Sequence, residues 1–263
     1  MTPGGKSTTL SAVQLDDTAI RRRLGAGYVL HYLEEVASTN DPAMAAARAG
    51  APGGQLWCTD MQTNGRGRRG TTWVAPEESS VLCSLLSRTT VPYRPHELAI
   101  LTGVGVARGL RTLEIPATIK WPNDLMLADR KIGGILTETH GDAVVIGVGL
   151  NCTIPDEAFP EALRARAGSL HALGHPVRRE EVLVAVVREL TRALRQVETG
   201  GIIKVLYDWN TMNWLGRRKV RVSGPLGVVE GDGLFLDGRK LVFHVFKDHG
   251  VVPMPLSSTV EAR

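Results

Sequence analysis

The change in sequence pattern at Gly216 constrains the fold more than any other feature of the chain. Before Gly216, segments with the apolar period of helices alternate with short apolar runs that are typical of strands. After it come only short strand-like runs separated by turns, namely RRKVRVSG, GVVEGDGLFLDG and KLVFHVF, with a turn at Asp237-Gly238. About five short strands in so few residues predict a small β-barrel that follows a larger α+β domain.

The region before Gly216 is expected to mix helices and strands. The segment from Ser38 to Pro42 predicts a helix start, because short polar side chains cap free N–H groups and proline suits the first turn. Gly50 is the expected end of that helix. Residues 1–27 are polar and basic, which predicts either a flexible lead-in or one short helix. The predicted helices cover 43–49, 95–113, 177–197 and 202–210, and the predicted strands cover 28–35, 56–62, 80–86, 117–122, 125–127, 132–138 and 144–150.

Composition and charge indicate an ordinary globular protein. Hydrophobic residues make up 43% of the 263-residue chain, and the formal net charge is +4. This charge permits nucleic-acid binding without arguing for it, and a phosphate-bearing small substrate is equally consistent. No apolar run is long enough to span a membrane, and the N-terminus lacks the apolar core of a signal peptide. The three cysteines form no CxxC pair, so we expect a cytoplasmic protein without a disulfide framework or a zinc site.

A loop rich in glycine and arginine, QTNGRGRRGTTW at 62–73, is the most distinctive local feature. Its arginines stand among glycines, and no acidic residue lies within it. Glycines let a ligand approach the backbone N–H groups, and arginine side chains match the geometry of phosphate and carboxylate groups. We therefore expect a loop that becomes ordered when it binds a phosphate. The alternative is a basic surface turn.

Two other patterns match a known motif, but the residues around them do not fit that motif. The glycines of the loop match the dinucleotide fingerprint GxGxxG, but that fingerprint opens a helix, whereas Thr71-Thr72-Trp73 and a nearby proline follow here. His171 and His175 have the spacing of metal ligands on one helix face, but Gly174 lies between them and no third ligand is evident. We interpret these histidines as part of a solvated loop.

Five short motifs occur in order along the first part of the chain. They are STN at 38–40, QTNGRGRRG at 62–70 followed by Trp73, KWPND at 120–124, KIGGIL at 131–136 and GVGLN at 147–151. In this order they closely resemble the biotin–protein ligase family (biotin–[acetyl-CoA-carboxylase] ligase). The run GRRKVRVSGPLGVVEG near the C-terminus resembles the small barrel domain of that family. Each motif alone is modest, but five in sequence order are highly specific.

The resemblance implies three segments. These are an N-terminal lead-in at 1–27, an α+β catalytic domain at 28–214 and an SH3-like β-barrel at 215–263. The catalytic domain would contain a mixed sheet like that of class II aminoacyl-tRNA synthetases. Some family members also carry a winged-helix DNA-binding domain ahead of the STN motif. Because only 37 residues precede Ser38, fewer than the roughly 60 of a small domain, we expect a monofunctional ligase that does not bind DNA.

The resemblance also implies a two-step reaction with ATP and biotin as substrates. The biotin carboxylate attacks the α-phosphate of ATP to give biotinyl-5′-AMP, and a lysine of a biotin carboxyl carrier protein then takes the biotin. Because the first step joins two anions, the site needs preorganised cations and N–H groups, with Mg²⁺ expected as the metal. A loop that closes over the mixed anhydride keeps water away from it. A homodimer is possible, and no membrane partner is expected.

Site residues follow from the motif positions that match the family. The biotin-binding positions are Ser38, Thr39, Asn40 and Gln62, and the loop positions Arg66, Gly67 and Arg68 would contact both biotin and its adenylate. Lys131 matches the lysine at the reacting carboxylate and phosphate, so Lys131, Arg66 and Arg68 are the expected catalytic residues and are also expected to contact biotin. The ATP-binding positions are Trp73, Lys120, Asn123, Asp124 and Asn151, with Asp124 as the candidate metal ligand.

Other interpretations remain open at this stage. Trp73 is otherwise an ordinary core aromatic, Asp124 a structural turn cap, and Lys131 a surface lysine beside a hairpin turn. A lipoate–protein ligase shares the expected fold, although the GRGRRG loop argues against it. A nucleic-acid-binding regulator that uses the arginine loop is a further alternative. It is disfavoured because the sequence indicates no second basic stripe and no interleaved aromatic residues.

Overall fold

The computed structural model describes residues 14–91, 93–225, 227–237, 242–247 and 250–262. Its helices are α1 Asp17–Leu24, α2 Asn40–Arg48, α3 Pro95–Arg111, α4 Glu161–Arg164, α5 Arg179–Glu198 and α6 Ile202–Thr211. Its first seven strands are β1 Val29–Val36, β2 Gln55–Gln62, β3 Ser80–Arg88, β4 Thr118–Lys120, β5 Asp124–Leu127, β6 Arg130–His140 and β7 Ala143–Asn151. The strands after Gly216 are β8 Val220–Gly224, β9 Gly227–Gly231, β10 Leu234–Asp237, β11 Val242–Lys247, β12 Gly250–Pro255 and β13 Thr259–Ala262.

Strands β1 to β7 form one mixed sheet in the order β1-β2-β3-β7-β6-β5-β4. Strands β1 and β2 are parallel, and the other neighbouring pairs are antiparallel. Successive side chains of β7 point to opposite faces of the sheet. Ile146 and Val148 join the main core with α3 and α5, whereas Ala143 and Val145 pack with α2. The predicted α+β class with a mixed sheet is confirmed.

Two glycines set the distance between helices α3 and α5. A Cβ atom on Gly105 would lie 2.8 Å from the Leu190 Cα atom, and one on Gly109 would lie 2.6 Å from the Val186 Cα atom. Both distances are shorter than real Cβ contacts, so alanine at either position would push the helices apart. Close packing of α3 and α5 therefore covers one face of the sheet, and Gly147 and Gly149 of β7 face the opposite side with Val145.

The predicted elements before Gly216 are all present, with ends that differ by a few residues. The predicted side-chain cap of α2 is wrong. The Thr39 side chain, at the N-cap position, donates to Gln62 Oε1 instead of capping the helix. Pro42 lies in the first turn as expected, and Gly50 follows the helix with a φ of +80°, which suits glycine. Helix α4 was not predicted.

Helix α1 occupies part of the lead-in at 1–27 and matches the second of the two alternatives for it, while residues 1–13 lie outside the described residues. The segment that leads into this helix is attached to the rest of the protein through the buried carboxylate of Asp60. Asp60 accepts hydrogen bonds from the Leu15 N–H at 3.2 Å, the Tyr32 hydroxyl at 2.6 Å and Arg179 Nη1 at 2.6 Å. Burial, together with the hydrogen bond to Asp60, raises the pKa of Tyr32 to about 12. Asp60 of β2 thus joins β1, α5 and the residue two positions before α1, and removing Arg179 would leave its buried charge unpaired.

The strands after Gly216 form two antiparallel sheets of three strands each, with orders β10-β11-β12 and β13-β8-β9. Among the described residues these sheets are not joined into one closed barrel, so the SH3-like description stays a prediction, as does the boundary between 214 and 215. Gly238 of the expected turn lies outside the described residues. The two sheets dock on the rest of the chain. Phe243 packs edge-on against Trp121 with 4.9 Å between ring centroids, and the Asn210 side chain bonds both backbone groups of Leu236.

Within the described part of the chain, no helix combines the length and apolar character that crossing a membrane requires.

Candidate active site

One cavity of about 800 Å³ lies on the α2 side of the sheet. Every site residue predicted from the sequence lines it, from Ser38 to Asn151. The α2 end of the cavity holds the STN motif and Gln62, and the other end holds Lys131, Asp124 and Asn151. Residues from four of the five motifs belong to strands or turns of the one sheet, and the fifth begins α2. The motifs therefore form one site, whose residue roles stay predictions.

The α2 end is built on a hydrogen-bonded pair, Thr39 and Gln62. Both residues of STN that precede α2, Ser38 and Thr39, are buried. The Thr39 backbone N–H donates to Gln62 Oε1 at 2.8 Å, and the Thr39 hydroxyl donates to the same oxygen at 3.1 Å. Because its oxygen is held in this way, the Gln62 side chain has a fixed orientation at the edge of the cavity. Its amide nitrogen remains as a donor for a ligand.

Asn40 is buried, and both ends of its side-chain amide have protein partners. Its Nδ2 donates to Glu138 Oε2 at 2.6 Å, and its Oδ1 lies 2.6 Å from the Ser84 hydroxyl. The Ser84 hydroxyl also lies 2.7 Å from Thr39 Oγ1, so its single proton is shared between two acceptors. A Cβ atom on Gly147 would lie 2.3 Å from Asn40 Oδ1, so only glycine fits beneath this amide. These contacts fix the orientation of Asn40.

Sequence reasoning missed Ser84 and Glu138, which hold the predicted residues in place. Ser84 is fully buried in the middle of the apolar strand β3. A serine inside the run SVLCSLL was the available signal, because a buried hydroxyl requires a polar partner. Glu138 gave no comparable signal, since a glutamate on an amphipathic strand is ordinarily solvated.

The glycine-arginine loop folds back on itself through backbone hydrogen bonds. The Trp73 N–H donates to the Gly65 carbonyl at 2.9 Å, and the Gly67 N–H donates to the Thr71 carbonyl at 2.7 Å. A Cβ atom on Gly65 would lie 2.5 Å from the Trp73 carbonyl oxygen, so this crossing requires glycine. Arg69 adopts a φ of +56° at the tip of the loop. The ordering on phosphate binding that we expect for this loop stays a prediction.

The two predicted catalytic arginines of the loop have different environments. Arg66 pairs with Asp41 of α2 through both terminal nitrogens, at 2.5 and 3.2 Å, and this hydrogen bonding raises the pKa of Arg66. The loop itself contains no acid, so its countercharge comes from the neighbouring helix. Arg68 is exposed, and partial desolvation followed by repulsion from Arg69 lowers the pKa of its guanidinium. An anion beside Arg68 would relieve that repulsion.

Lys131 and Asp124 form an ion pair across the β5-β6 hairpin, with 2.6 Å between Lys131 Nζ and Asp124 Oδ1. The Lys131 ammonium also lies 5.9 Å from the centroid of the Trp73 ring. That ring lies against Gly149, where a Cβ atom would be 2.7 Å from Trp73 Cε2. Trp73 therefore lines the cavity beside the lysine. Its Nε1 atom is buried and has no hydrogen-bond partner among the described residues.

Lys120 is positioned by an aromatic residue that sequence reasoning missed. Its ammonium lies 4.9 Å from the centroid of the Trp214 ring, and the Arg218 guanidinium lies 4.0 Å from the same centroid. The Trp214 Nε1–H donates to Asp129 Oδ1 at 3.0 Å. Trp214 and Ala262 both line the cavity. Residues near and at the C-terminal end of the chain therefore contribute to the lining of the cavity.

The Lys131 end of the cavity is closed by a segment for which the sequence predicted no helix or strand. We call residues 159–168 the cavity wall, of which Phe159, Pro160, Leu163, Arg166 and Ala167 line the cavity. The Lys131 N–H donates to the Arg166 carbonyl at 2.7 Å, and the Gly168 N–H donates to the Lys131 carbonyl at 2.9 Å. Asn151 Nδ2 donates to the Gly168 carbonyl at 3.0 Å, so this predicted ATP-binding side chain is held by the wall.

The described residues contain no group of three or more His, Cys, Asp or Glu side chains placed to hold a metal ion. His171 lies in a turn and His175 just after it, as expected for a loop, although both residues are partly buried. Asp124 is the only predicted metal ligand, and it is paired with Lys131. Mg²⁺ is commonly held by one or two carboxylates together with substrate phosphates. The donor set therefore fits a metal ion that arrives with a nucleotide.

The structure corrects the expectation that the chain carries no second basic stripe. A groove of about 770 Å³ on the outer side of α5 is lined by five cations, namely Arg108, Arg188, Arg192, Arg195 and Lys204. Glu189 and Asp208 lie in the same groove and pair with Arg192 and Arg108. The helical spacing of the three α5 arginines placed them on one face, which the sequence pattern could have indicated.

Known proteins resemble this chain over the region that forms the cavity. Residues 35–151, which contain all five motifs, match the Biotin/lipoate A/B protein ligase family. The chain is 30% identical over 202 residues to the biotin–[acetyl-CoA-carboxylase] ligase of Paracoccus denitrificans, covering 70% of this chain and 82% of that protein. It is 32% identical over 193 residues to the bifunctional ligase/repressor BirA of Bacillus spizizenii, covering 70% of this chain but 59% of that protein. The match thus spans less than two thirds of the length of that relative.

A solved structure has the same fold. The biotin protein ligase from Aquifex aeolicus in complex with biotin and ATP superposes with a TM-score of 0.76 at 24% sequence identity. The superposition covers 89% of this chain and 99% of that chain. Motif order, relatives and fold agree. The chain belongs to the biotin protein ligase family.

Proposed function

We propose that this protein is an ATP-dependent biotin–protein ligase that forms biotinyl-5′-AMP and transfers biotin to a lysine of a biotin carboxyl carrier protein. The observation that carries the proposal is the convergence of all the predicted site residues on one cavity, with an end of buried, hydrogen-bonded polar groups and a cationic end. Biotin has a neutral ureido ring at one end and a carboxylate at the other. The two ends of the cavity match these two chemical characters.

The α2 end would hold the ureido ring. The fixed amide groups of Asn40 and Gln62 and the Thr39 hydroxyl provide donors and acceptors in a buried setting. Because their orientations are set by other protein groups, little side-chain entropy is lost when a ligand binds. A ring that cannot reproduce these hydrogen bonds would leave buried polar groups unpaired, which disfavours other acids.

The Lys131 end would carry out adenylation. The biotin carboxylate and the α-phosphate must approach each other although both are anionic. Lys131, Arg68 and Lys120 supply positive charge along this part of the cavity. Bound with ATP, Mg²⁺ would add further charge neutralisation, with Asp124 as the carboxylate that would hold it. Lys131 would stabilise the charge that develops on the phosphate oxygens.

The loop and the cavity wall would protect the mixed anhydride. The loop at 62–73 covers the α2 side of the cavity with Arg66 and Gly67, and the wall covers the Lys131 end. Excluding water prevents hydrolysis of a reactive acyl adenylate until an acceptor lysine arrives. The acceptor is proposed from the name of the Paracoccus denitrificans relative, which is a ligase for acetyl-CoA carboxylase.

The test is ATP–pyrophosphate exchange by the purified protein, with biotin and lipoate in parallel reactions. We expect exchange that requires biotin, followed by transfer to an added biotin carboxyl carrier domain. Exchange with lipoate alone would assign the second activity named in the family description. Absence of exchange with both acids would contradict the proposal.

The basic groove on α5 is the observation that supports the nucleic-acid alternative. Binding to duplex and single-stranded DNA, measured over a range of salt concentrations with and without biotin, tests it. Salt-sensitive binding that biotin does not change, together with no exchange activity, would favour that alternative.

A further inference from the structure

Arg130, the residue immediately before Lys131, makes no contact that the proposed chemistry uses. We propose that Arg130 is a positioning residue that holds the cavity wall against Lys131 and thereby sets the affinity for ATP, while leaving the biotin end unaffected. This inference rests on the proposed function, because it assigns the Lys131 end of the cavity to the nucleotide.

The Arg130 guanidinium is only 18% exposed and binds three points of the segment around the cavity wall. Its Nε donates to the Ala167 carbonyl at 2.7 Å, and one terminal nitrogen donates to the Arg164 carbonyl at 3.0 Å. Its two terminal nitrogens also bind the two carboxylate oxygens of Asp156 at 2.9 and 2.8 Å. A forked pair of this kind fixes geometry as well as supplying charge.

The backbone joins the same segment to Lys131. The Lys131 N–H and carbonyl bond Arg166 and Gly168, respectively. A Cβ atom on Gly168 would lie 3.2 Å from the Arg130 Nε, so glycine permits the guanidinium to pass close to the wall. Side-chain and backbone contacts of two consecutive residues thus hold the wall, and displacement of the wall would also displace Lys131.

The effect is expected at only one end of the cavity. Asn151 bonds Gly168 of the wall, so the predicted ATP-binding residues Asn151 and Lys131 both depend on the position of the wall. Thr39 and Asn40 depend instead on Gln62, Ser84 and Glu138, none of which bonds the wall. Biotin would meet Lys131 only through its carboxylate and would be held mainly at the α2 end. Loss of the Arg130 contacts should therefore raise the KM for ATP much more than the KM for biotin.

Arg88 offers a matched control. Its side chain also donates to two backbone carbonyls, Ala51 at 3.0 Å and Ala47 at 2.9 Å, and pairs with a carboxylate, that of Asp142. The Arg88 pair has similar burial, with the arginine 26% exposed, but these residues do not line the cavity. Arg88→Lys removes an equivalent set of contacts at the C-terminal end of α2, remote from the Lys131 end, and so reports what the loss of such contacts alone does to the KM for ATP.

The experiment measures the KM for ATP and for biotin in pyrophosphate exchange, and the Tm, for wild type, Arg130→Lys and Arg88→Lys. Arg130→Lys should raise the KM for ATP about tenfold, as expected for a small misplacement of a binding wall, with less than about a twofold change for biotin. Arg88→Lys should lower Tm by a similar amount and leave the KM for ATP unchanged. An unchanged KM for ATP in Arg130→Lys, an equal rise in both KM values, or the same ATP effect in Arg88→Lys would overturn the inference.

Asp156→Asn is a milder second variant, because Arg130 keeps its two carbonyl contacts. It should raise the KM for ATP about threefold, and no change there would also count against the inference. Calorimetric binding of a non-hydrolysable ATP analogue provides a readout that does not depend on turnover. A wild-type protein that binds the analogue but shows no biotin-dependent exchange would contradict the proposed function. Equal analogue affinity of wild type and Arg130→Lys would contradict only the role of Arg130.

Discussion

The two ends of the cavity hold their functional side chains in different ways. At the α2 end, Thr39, Asn40 and Ser84 are buried and bond one another or neighbouring side chains. At the other end, the Lys131–Asp124 pair is open to solvent, with 39% and 27% of the two side chains exposed. A buried network fixes one arrangement of donors and acceptors, whereas a partly exposed ion pair gains little net energy and exchanges partners readily. The first end therefore suits recognition of a fixed neutral shape, and the second suits an anion that arrives and leaves.

The largest expected effect follows from removing charge at the exposed end. Lys131→Ala should reduce the rate of adenylation by about 10²-fold or more, as with loss of one oxyanion-type donor. Pyrophosphate release in single-turnover reactions is the measurement. Lys204→Ala serves as the control, because Lys204 is an exposed lysine on α6 outside this cavity. Near-normal release by Lys131→Ala would show that charge at this end is not used in the chemistry.

A smaller effect is expected from disturbing the buried end. Gly147→Ala places a methyl group where Asn40 Oδ1 lies, and should raise the KM for biotin about tenfold while leaving the KM for ATP within about twofold. Gly27→Ala is the control, because a Cβ atom there meets nothing within 4 Å. If both KM values rose together, the two ends would not be separable and the comparison would fail.

The smallest effect concerns pH and the Arg130–Asp156 pair. Arg130 holds the pKa of Asp156 below its ordinary value of 3.8. A depressed folded-state pKa means that the stabilisation is present above the ordinary value and is lost as pH falls through the folded value. The Tm difference between wild type and Asp156→Asn should therefore be constant above about pH 5 and shrink below pH 4. It should be small, because Asp156 is 51% exposed. A difference that grows on acidification would show that another group dominates.

Much of the fold, and the residues of the five motifs that line the cavity, were predictable because their signals are local. Strand and helix periods are set by neighbouring residues, and the five motifs carry chemistry in short runs. The supporting contacts were not predictable for the opposite reason. In the sequence, Arg179 looks like an ordinary helix residue. In the structure, its guanidinium neutralises the Asp60 carboxylate, which is 119 positions away along the chain. Ser84 meets Asn40 only because β3 lies beneath the start of α2. Trp214 meets Lys120 only because its backbone N–H bonds the carbonyl of Ile119 in β4.

The cavity wall was missed for a further reason. Its only regular element, Glu161–Arg164, is one turn long, so no periodic pattern can develop. The wall is ordered instead by Arg130 and by the backbone of Lys131, which belong to another part of the sequence. The basic groove on α5 was missed for a different reason. Its α5 arginines do follow a helical period, and the pattern was available to be read.

The turn between β5 and β6 has a consequence for the changes in length that this chain can tolerate. Three consecutive residues, the last of the turn and the first two of β6, have three different tasks: Asp129 bonds Trp214 and Arg218, Arg130 bonds the wall, and Lys131 faces the cavity. Inserting or deleting one residue between Ala128 and Lys131 would reverse the side on which the following side chains emerge. Such a change would break all three attachments at once, although hairpin turns elsewhere on a protein surface usually tolerate it. The length of this short turn is therefore under the same constraint as the identity of the lysine that follows it.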